Sequence, residues 1–107
     1  MKIRWYILDA NHHPVPASLM EWAEFLGDEK NRTVNWTQVT SQVHVSTIFL
    51  GIDLRPFGNG PPLLFETMIF GGALDRHMWR CSSWDDAEAG HQAAGRKARA
   101  NLHSEVT

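Results

Sequence analysis

Val43-His44-Val45-Ser46-Thr47-Ile48-Phe49-Leu50-Gly51-Ile52 is the stretch on which the fold turns. Val43, Val45, Thr47 and Phe49 fall on one side of an extended chain, and His44, Ser46, Ile48 and Leu50 on the other. That period of two belongs to a β-strand. On its N-terminal side, the short polar link Thr40-Ser41-Gln42 joins it to residues 33–39, which alternate loosely with Val34 and Trp36 on one face. Two strands with so short a link form a hairpin. On its C-terminal side, Asp53 to Pro62 carries Pro56, Gly58, Asn59, Gly60, Pro61 and Pro62, a composition that cannot continue a strand. Leu63 to Phe70 resumes as a strand, interrupted by Glu66 and Thr67 and ended by Gly71-Gly72, and a short strand follows over His77 to Cys81.

Two helices flank this β-rich middle. Ile3 to Leu8 reads as a first strand, and Asp9-Ala10-Asn11-His12-His13-Pro14-Val15-Pro16 as a turn that breaks it. Ser18 followed by Glu21 is a capping-box pattern, and Leu19, Trp22, Ala23 and Leu26 then mark one helical face, with Gly27 as the stop. The polar run Asp28 to Arg32 leads out of that helix. The last helix runs from Trp84 to Leu102, capped by Ser82 or Ser83. Asp85, Asp86 and Glu88 suit its positive end, and Arg96, Lys97 and Arg99 its negative end. Trp84, Ala87, His91, Ala94, Ala98 and Leu102 make its buried stripe. Gly90 and Gly95 each cost about 1 kcal/mol of helix propensity, which close packing against a sheet would explain. The order β-α-β-β-β-β-α predicts an α+β fold: an antiparallel sheet of four to five strands packed against two helices. No repeat or linker divides the 107 residues, so a single domain is expected, frayed from about His103.

Composition narrows the function classes. Ten basic and twelve acidic residues leave a net charge of −2, which argues against nucleic acid as a partner for the surface as a whole. Cys81 is the only cysteine, so no intrachain disulfide and no Cys₂ or Cys₄ zinc site can form. No apolar run approaches the roughly 20 residues that span a bilayer, and the first residues lack the apolar stretch of a signal peptide. A cytoplasmic location with no membrane contact is the expectation. The five tryptophans are expected to supply much of the core.

Three further stretches carry a resemblance. Val45-Ser46-Thr47-Ile48-Phe49-Leu50-Gly51-Ile52-Asp53, Gly60-Pro61-Pro62-Leu63-Leu64-Phe65-Glu66-Thr67-Met68-Ile69-Phe70-Gly71-Gly72 and Ser83-Trp84-Asp85-Asp86-Ala87-Glu88-Ala89-Gly90-His91 together resemble a family of small uncharacterised bacteriophage and prophage proteins. The resemblance covers roughly Trp5 to His91. It implies an accessory protein that binds a host protein, such as a defence component, in the host cytoplasm and without catalysis. Leu54-Arg55-Pro56 follows Asp53 here, where relatives often carry a histidine, so a role of that histidine would be missing.

Candidate chemistry is sparse. His44, Glu66 and His77 lie on predicted strands, and on a common face they would form a cluster fit for a metal or for acid–base work. The plainer reading makes them partly exposed sheet residues. Arg80 beside Cys81 would lower the thiol pKa if it lay close, although no base is signalled nearby. His12 and His13 read as surface residues. Phe57-Gly58-Asn59-Gly60-Pro61-Pro62 is glycine-rich but lacks the Gly-Lys-Ser/Thr opening of a phosphate-binding helix. The loop is better read as a hairpin connection or a partner-binding loop, with Arg55 and Phe57 as anchors and Asp53 and Asn59 beside them. Asp53 would pair with Arg55 or cap the turn. No cofactor and no metal is expected. A homodimer and a small-molecule or nucleotide site stand as alternatives, together with a small metal-dependent enzyme.

Overall fold

The computed structural model describes residues 3–55 and 59–102. The chain is α+β, as expected, and holds two sheets. β1 (Trp5–Leu8) and β2 (Pro14–Ala17) form an antiparallel hairpin. β3 (Thr33–Gln38), β4 (His44–Phe49), β5 (Phe65–Phe70) and β6 (Met78–Cys81) form a four-stranded antiparallel meander in chain order. α1 (Leu19–Gly27), the one-turn α2 (Glu29–Arg32) and α3 (Trp84–Ala100) complete the fold.

β2 corrects the reading of residues 9–16 as a single turn. Only residues 9–13 turn, with the Asp9 carboxylate accepting from the Asn11 and His13 N–H groups and His12 in the left-handed region at φ 63. Pro14 and Pro16 then pair with Leu8 and Tyr6. The Asp9 N–H donates to the His13 carbonyl, which sets the ladder on the odd-numbered residues of β1. The two prolines therefore occupy positions whose N–H would point away from β1, and no ladder bond is lost. α2 is the second addition. Its Asp28 cap accepts from Lys30 N–H at 3.0 Å, so the polar run closes one helical turn before β3 begins.

α1 starts on the expected capping box, with Ser18 Oγ accepting from Glu21 N–H and Glu21 Oε1 accepting from Ser18 N–H. Its inward face is shifted from the expected one. Trp22, Phe25 and Leu26 are partly covered, whereas Leu19 and Ala23 are exposed. α3 begins on Ser83, whose Oγ accepts from Asp86 N–H, and buries Ala87, His91, Ala94, Gly95 and Ala98.

The expected alternation in β4 holds: Val43, Val45, Thr47 and Phe49 are buried, and His44, Ser46 and Ile48 are only partly covered. β3 departs from its expected pattern. Thr33 pairs with Ile48 and Asn35 with Thr47, so Val34 is an extra residue in a bulge. The bulge turns Val34 onto the core while Trp36 pairs with Ser46 on the opposite face. Val34 and Trp36 therefore do not share a side.

The core lies between the sheet and α3 in two clusters. Phe49, Leu64, Phe65, Leu8 and Ala87 form one, which Phe25, Leu26 and Trp84 flank. Val43, Val45, Ile69, Ala94 and Ala98 form the other. No tryptophan is fully buried among the described residues, against the expectation. The bulge puts Trp36 outside, and Trp79 sits on edge strand β6.

One glycine joins the N-terminal hairpin to the meander. Gly51 has φ +69, and a Cβ there would lie 2.6 Å from both the Trp22 indole nitrogen and the Tyr6 carbonyl. Its own carbonyl accepts from Tyr6 N–H at 2.8 Å, and the Trp22 indole N–H donates to the Leu50 carbonyl at 3.0 Å. Gly90 and Gly95 have no such reason. A Cβ at Gly90 would meet only Thr67 Oγ1, at 4.0 Å, and one at Gly95 only the end of the Arg99 side chain. Close packing does not account for them.

Candidate binding face of the sheet

The register defines what stands on the side of the meander away from α3. His44 pairs with Phe70, Ser46 with Met68, and Ile48 with Glu66, while Met68 and Glu66 pair in turn with Met78 and Arg80. Trp36 joins opposite Ser46. Trp36, Phe70 and Met78 are 52%, 37% and 41% exposed, far above the scattered single apolar residue expected on a surface. Trp36 stacks on His44 with ring centroids 5.2 Å apart and 28° between planes, and His44 stacks on Phe70 at 4.8 Å and 13°. The imidazole thus bridges two aromatic rings from neighbouring strands into one ladder. Glu66 and Arg80 close the far end with an ion pair of 3.0 Å, strengthened by a 3.1 Å bond from Arg80 Nε. Their charges cancel, so the face is apolar and close to neutral.

That placement separates the three residues expected to form a cluster. His44 and Glu66 share this face but lie four strand positions apart, which is about 13 Å. His77 precedes β6 and packs edge-on to Trp79, whose partner Thr67 lies on the core side. Glu66 is engaged by Arg80 and His44 by two rings. Among the described residues, no group of three His, Cys, Asp or Glu side chains is placed to hold a metal. Arg80 is also turned away from any activation of Cys81. The Cys81 thiol donates to the Ser83 carbonyl at 3.7 Å, and burial pushes its pKa up.

The loop residues have a different arrangement from free anchors. Arg55 Nη2 lies 2.6 Å from Asp53 Oδ2, and Nε contacts both carboxylate oxygens. Nη1 donates to the Asn59 carbonyl and Nη2 to the Pro61 carbonyl. The expected Asp53–Arg55 pairing is therefore present, and Asp53 also accepts from the Arg55 N–H, which caps the turn. Arg55 clasps the two ends of its own loop. The hydrogen bonds from its guanidinium hold the Asp53 carboxyl below the usual carboxylate range. Phe57 lies outside the described residues. His12 stacks on Trp84 at 3.8 Å, and His13 is exposed.

On the core side, the stripe reading of α3 placed His91 but not its partners. Its Nε2 lies 2.8 Å from Thr37 Oγ1 and its Nδ1 2.8 Å from Thr47 Oγ1, which is 2.7 Å from Thr67 Oγ1. A neutral imidazole has one N–H and one lone pair, so this chain across β3, α3, β4 and β5 is satisfied in one direction at a time. Burial lowers the His91 pKa. A histidine amid alanines, facing strands with threonine at inward positions, was the available signal. No family model matches the chain, and no curated protein or solved structure matches it either.

Proposed function

We propose that this protein acts by binding, and that the open sheet face docks an apolar patch on a protein partner. The observation that carries the reading is the exposed Trp36–His44–Phe70 ladder with Met68 and Met78 beside it. Aromatic and methionine side chains are enriched at the centres of protein interfaces, where charged residues are depleted. A base-stacking platform would use similar rings but also needs cations along the strand. Here Arg80 is neutralised by Glu66. The resemblance to phage and prophage proteins makes a host protein the natural partner, with occlusion as the mechanism. The Asp53–Asn59 loop leaves the sheet at the Phe49–Phe65 end, opposite the His44–Phe70 pair, so it enters this proposal as a separate contact, with Arg55 already occupied in holding the loop shut.

The test is capture from host lysate by the wild type, by Trp36→Ala/Phe70→Ala and by Arg55→Ala/Phe57→Ala, with melting curves for each. One host protein retained by the wild type and lost with the face variant is expected. Equal capture by the face variant would remove the sheet from the proposal, and loss with the loop variant alone would transfer the role to the loop. Binding of a single-stranded oligonucleotide that depends on Trp36 would replace the protein partner by nucleic acid.

A further inference from the structure

Between β6 and α3, on the side of the sheet opposite the aromatic ladder, lies a cleft of about 340 Å³. Its volume is within the roughly 300–1,000 Å³ of small-molecule pockets. One wall is the Trp79 indole, and the other is the small-residue face of α3 at Gly90 and Ala94. Thr67 stands at its floor and is 4% exposed. An indole on β6 and a glycine and an alanine on α3 give the cleft a mostly apolar lining suited to a flat ring. Gly90 keeps the slot open: no neighbour requires a glycine there, and any side chain would grow toward Thr67. The polar groups are few and placed at its ends and base. Lys97 Nζ lies over the Trp79 ring, 5.6 Å from its centroid, and Asp86 is eleven residues back along the helix, about 16 Å away. Arg80 lines the cleft, but its guanidinium is engaged by Glu66. A negative group is therefore favoured at the Lys97 end. Thr67 Oγ1 bonds to Thr47, and a hydroxyl can make more than one such bond. As the terminus of the chain through His91, it can offer a ligand either its proton or a lone pair.

We propose that this cleft binds a small planar aromatic anion, which displaces the Lys97 ammonium from over the Trp79 ring, stacks between Trp79 and Gly90–Ala94 and pairs its negative group with Lys97. The site lies on the other side of the sheet from the docking face and shares with it only Arg80, whose guanidinium is engaged by Glu66.

The probe is 2-naphthoate, compared with the neutral 2-naphthalenemethanol, titrated into ¹⁵N-labelled full-length protein. Saturable shifts at the Gly90 and Ala94 amides and at the Trp79 indole N–H are expected, with naphthoate the tighter. Lys97→Gln is expected to weaken naphthoate by up to about fivefold and leave the alcohol unchanged, because an exposed ion contact is worth up to about 1 kcal/mol. Gly90→Leu is expected to abolish both while the protein melts no lower than the wild type. Absence of saturable shifts at these positions overturns the proposal, as do shifts centred on Trp36 and Phe70 or binding that survives Gly90→Leu. Equal loss of both probes in Lys97→Gln overturns the assignment of the anionic end.

Discussion

The two faces of the meander are built from the same strands and differ in what covers them. On the inner side, Phe49, Phe65, Val45 and Ile69 are fully buried under α3, and the polar members Thr47, Thr67 and His91 satisfy one another. On the outer side, Trp36, Phe70 and Met78 keep large apolar areas in water, although Trp36 and Phe70 both stack on His44. Burial rather than residue type therefore decides which side carries the fold. Phe65 and Phe70 share a strand, five residues apart, and have opposite tasks. A face that contributes little to stability can be specified by what it meets.

Several substitutions break or sharpen that contrast. The largest effect is expected from Phe65→Ala, about 3–5 kcal/mol by denaturant unfolding, against about 1 kcal/mol or less for Phe70→Ala. Comparable losses would mean that the outer face is covered in solution. Next comes His91→Ala, which leaves a cavity and parts Thr37 from Thr47, at about 2–4 kcal/mol, whereas His44→Ala is expected to stay within about 1 kcal/mol.

A pH series tests the same histidine. The folded-state pKa of His91 lies below its ordinary value of 6.5 because burial disfavours the charged ring. The unfolded chain therefore binds the proton more readily. Stability from this group is complete above about pH 6.5 and is lost as pH falls through that value toward the folded pKa. His91→Gln is expected to flatten that part of the melting profile, and an unchanged slope would assign it elsewhere.

The two smallest effects have opposite signs. Gly90→Ala is expected to raise stability by up to about 1 kcal/mol through helix propensity, since its methyl has room. A loss would show that the helix needs the glycine. Glu66→Gln is expected to cost about 0.5–1 kcal/mol, less at high salt, because its partner Arg80 is only partly covered.

Much of the fold was legible in the residues, for local reasons. The alternation of Val43 to Phe49, the Ser18–Glu21 box and the stripe of α3 are each written in one continuous segment. The missed features depend on pairing. Pro14 and Pro16 look like strand breakers until the hairpin register shows that their missing N–H groups point outward. Trp36 looks like a partner of Val34 until the bulge is counted. The aromatic ladder needs both that bulge and the His44–Phe70 register, so it could not be read from spacing within any strand. The supposed His44–Glu66–His77 group failed for the same reason, since strand membership alone does not determine side or height. The Asp53–Arg55 pair was legible because it is local.

The junction at Gly51 bears on the order in which the chain can assemble during synthesis. The hairpin of β1 and β2 is a two-stranded element, marginal on its own in water. Its anchoring bonds run from Tyr6 and Trp22 to the carbonyls of Gly51 and Leu50, with Trp5 bridged to Ile52. A ribosome delivers those acceptors well after the groups that need them. The first thirty-two residues therefore emerge before their docking site exists, whereas the meander closes by pairing each strand with the next one made.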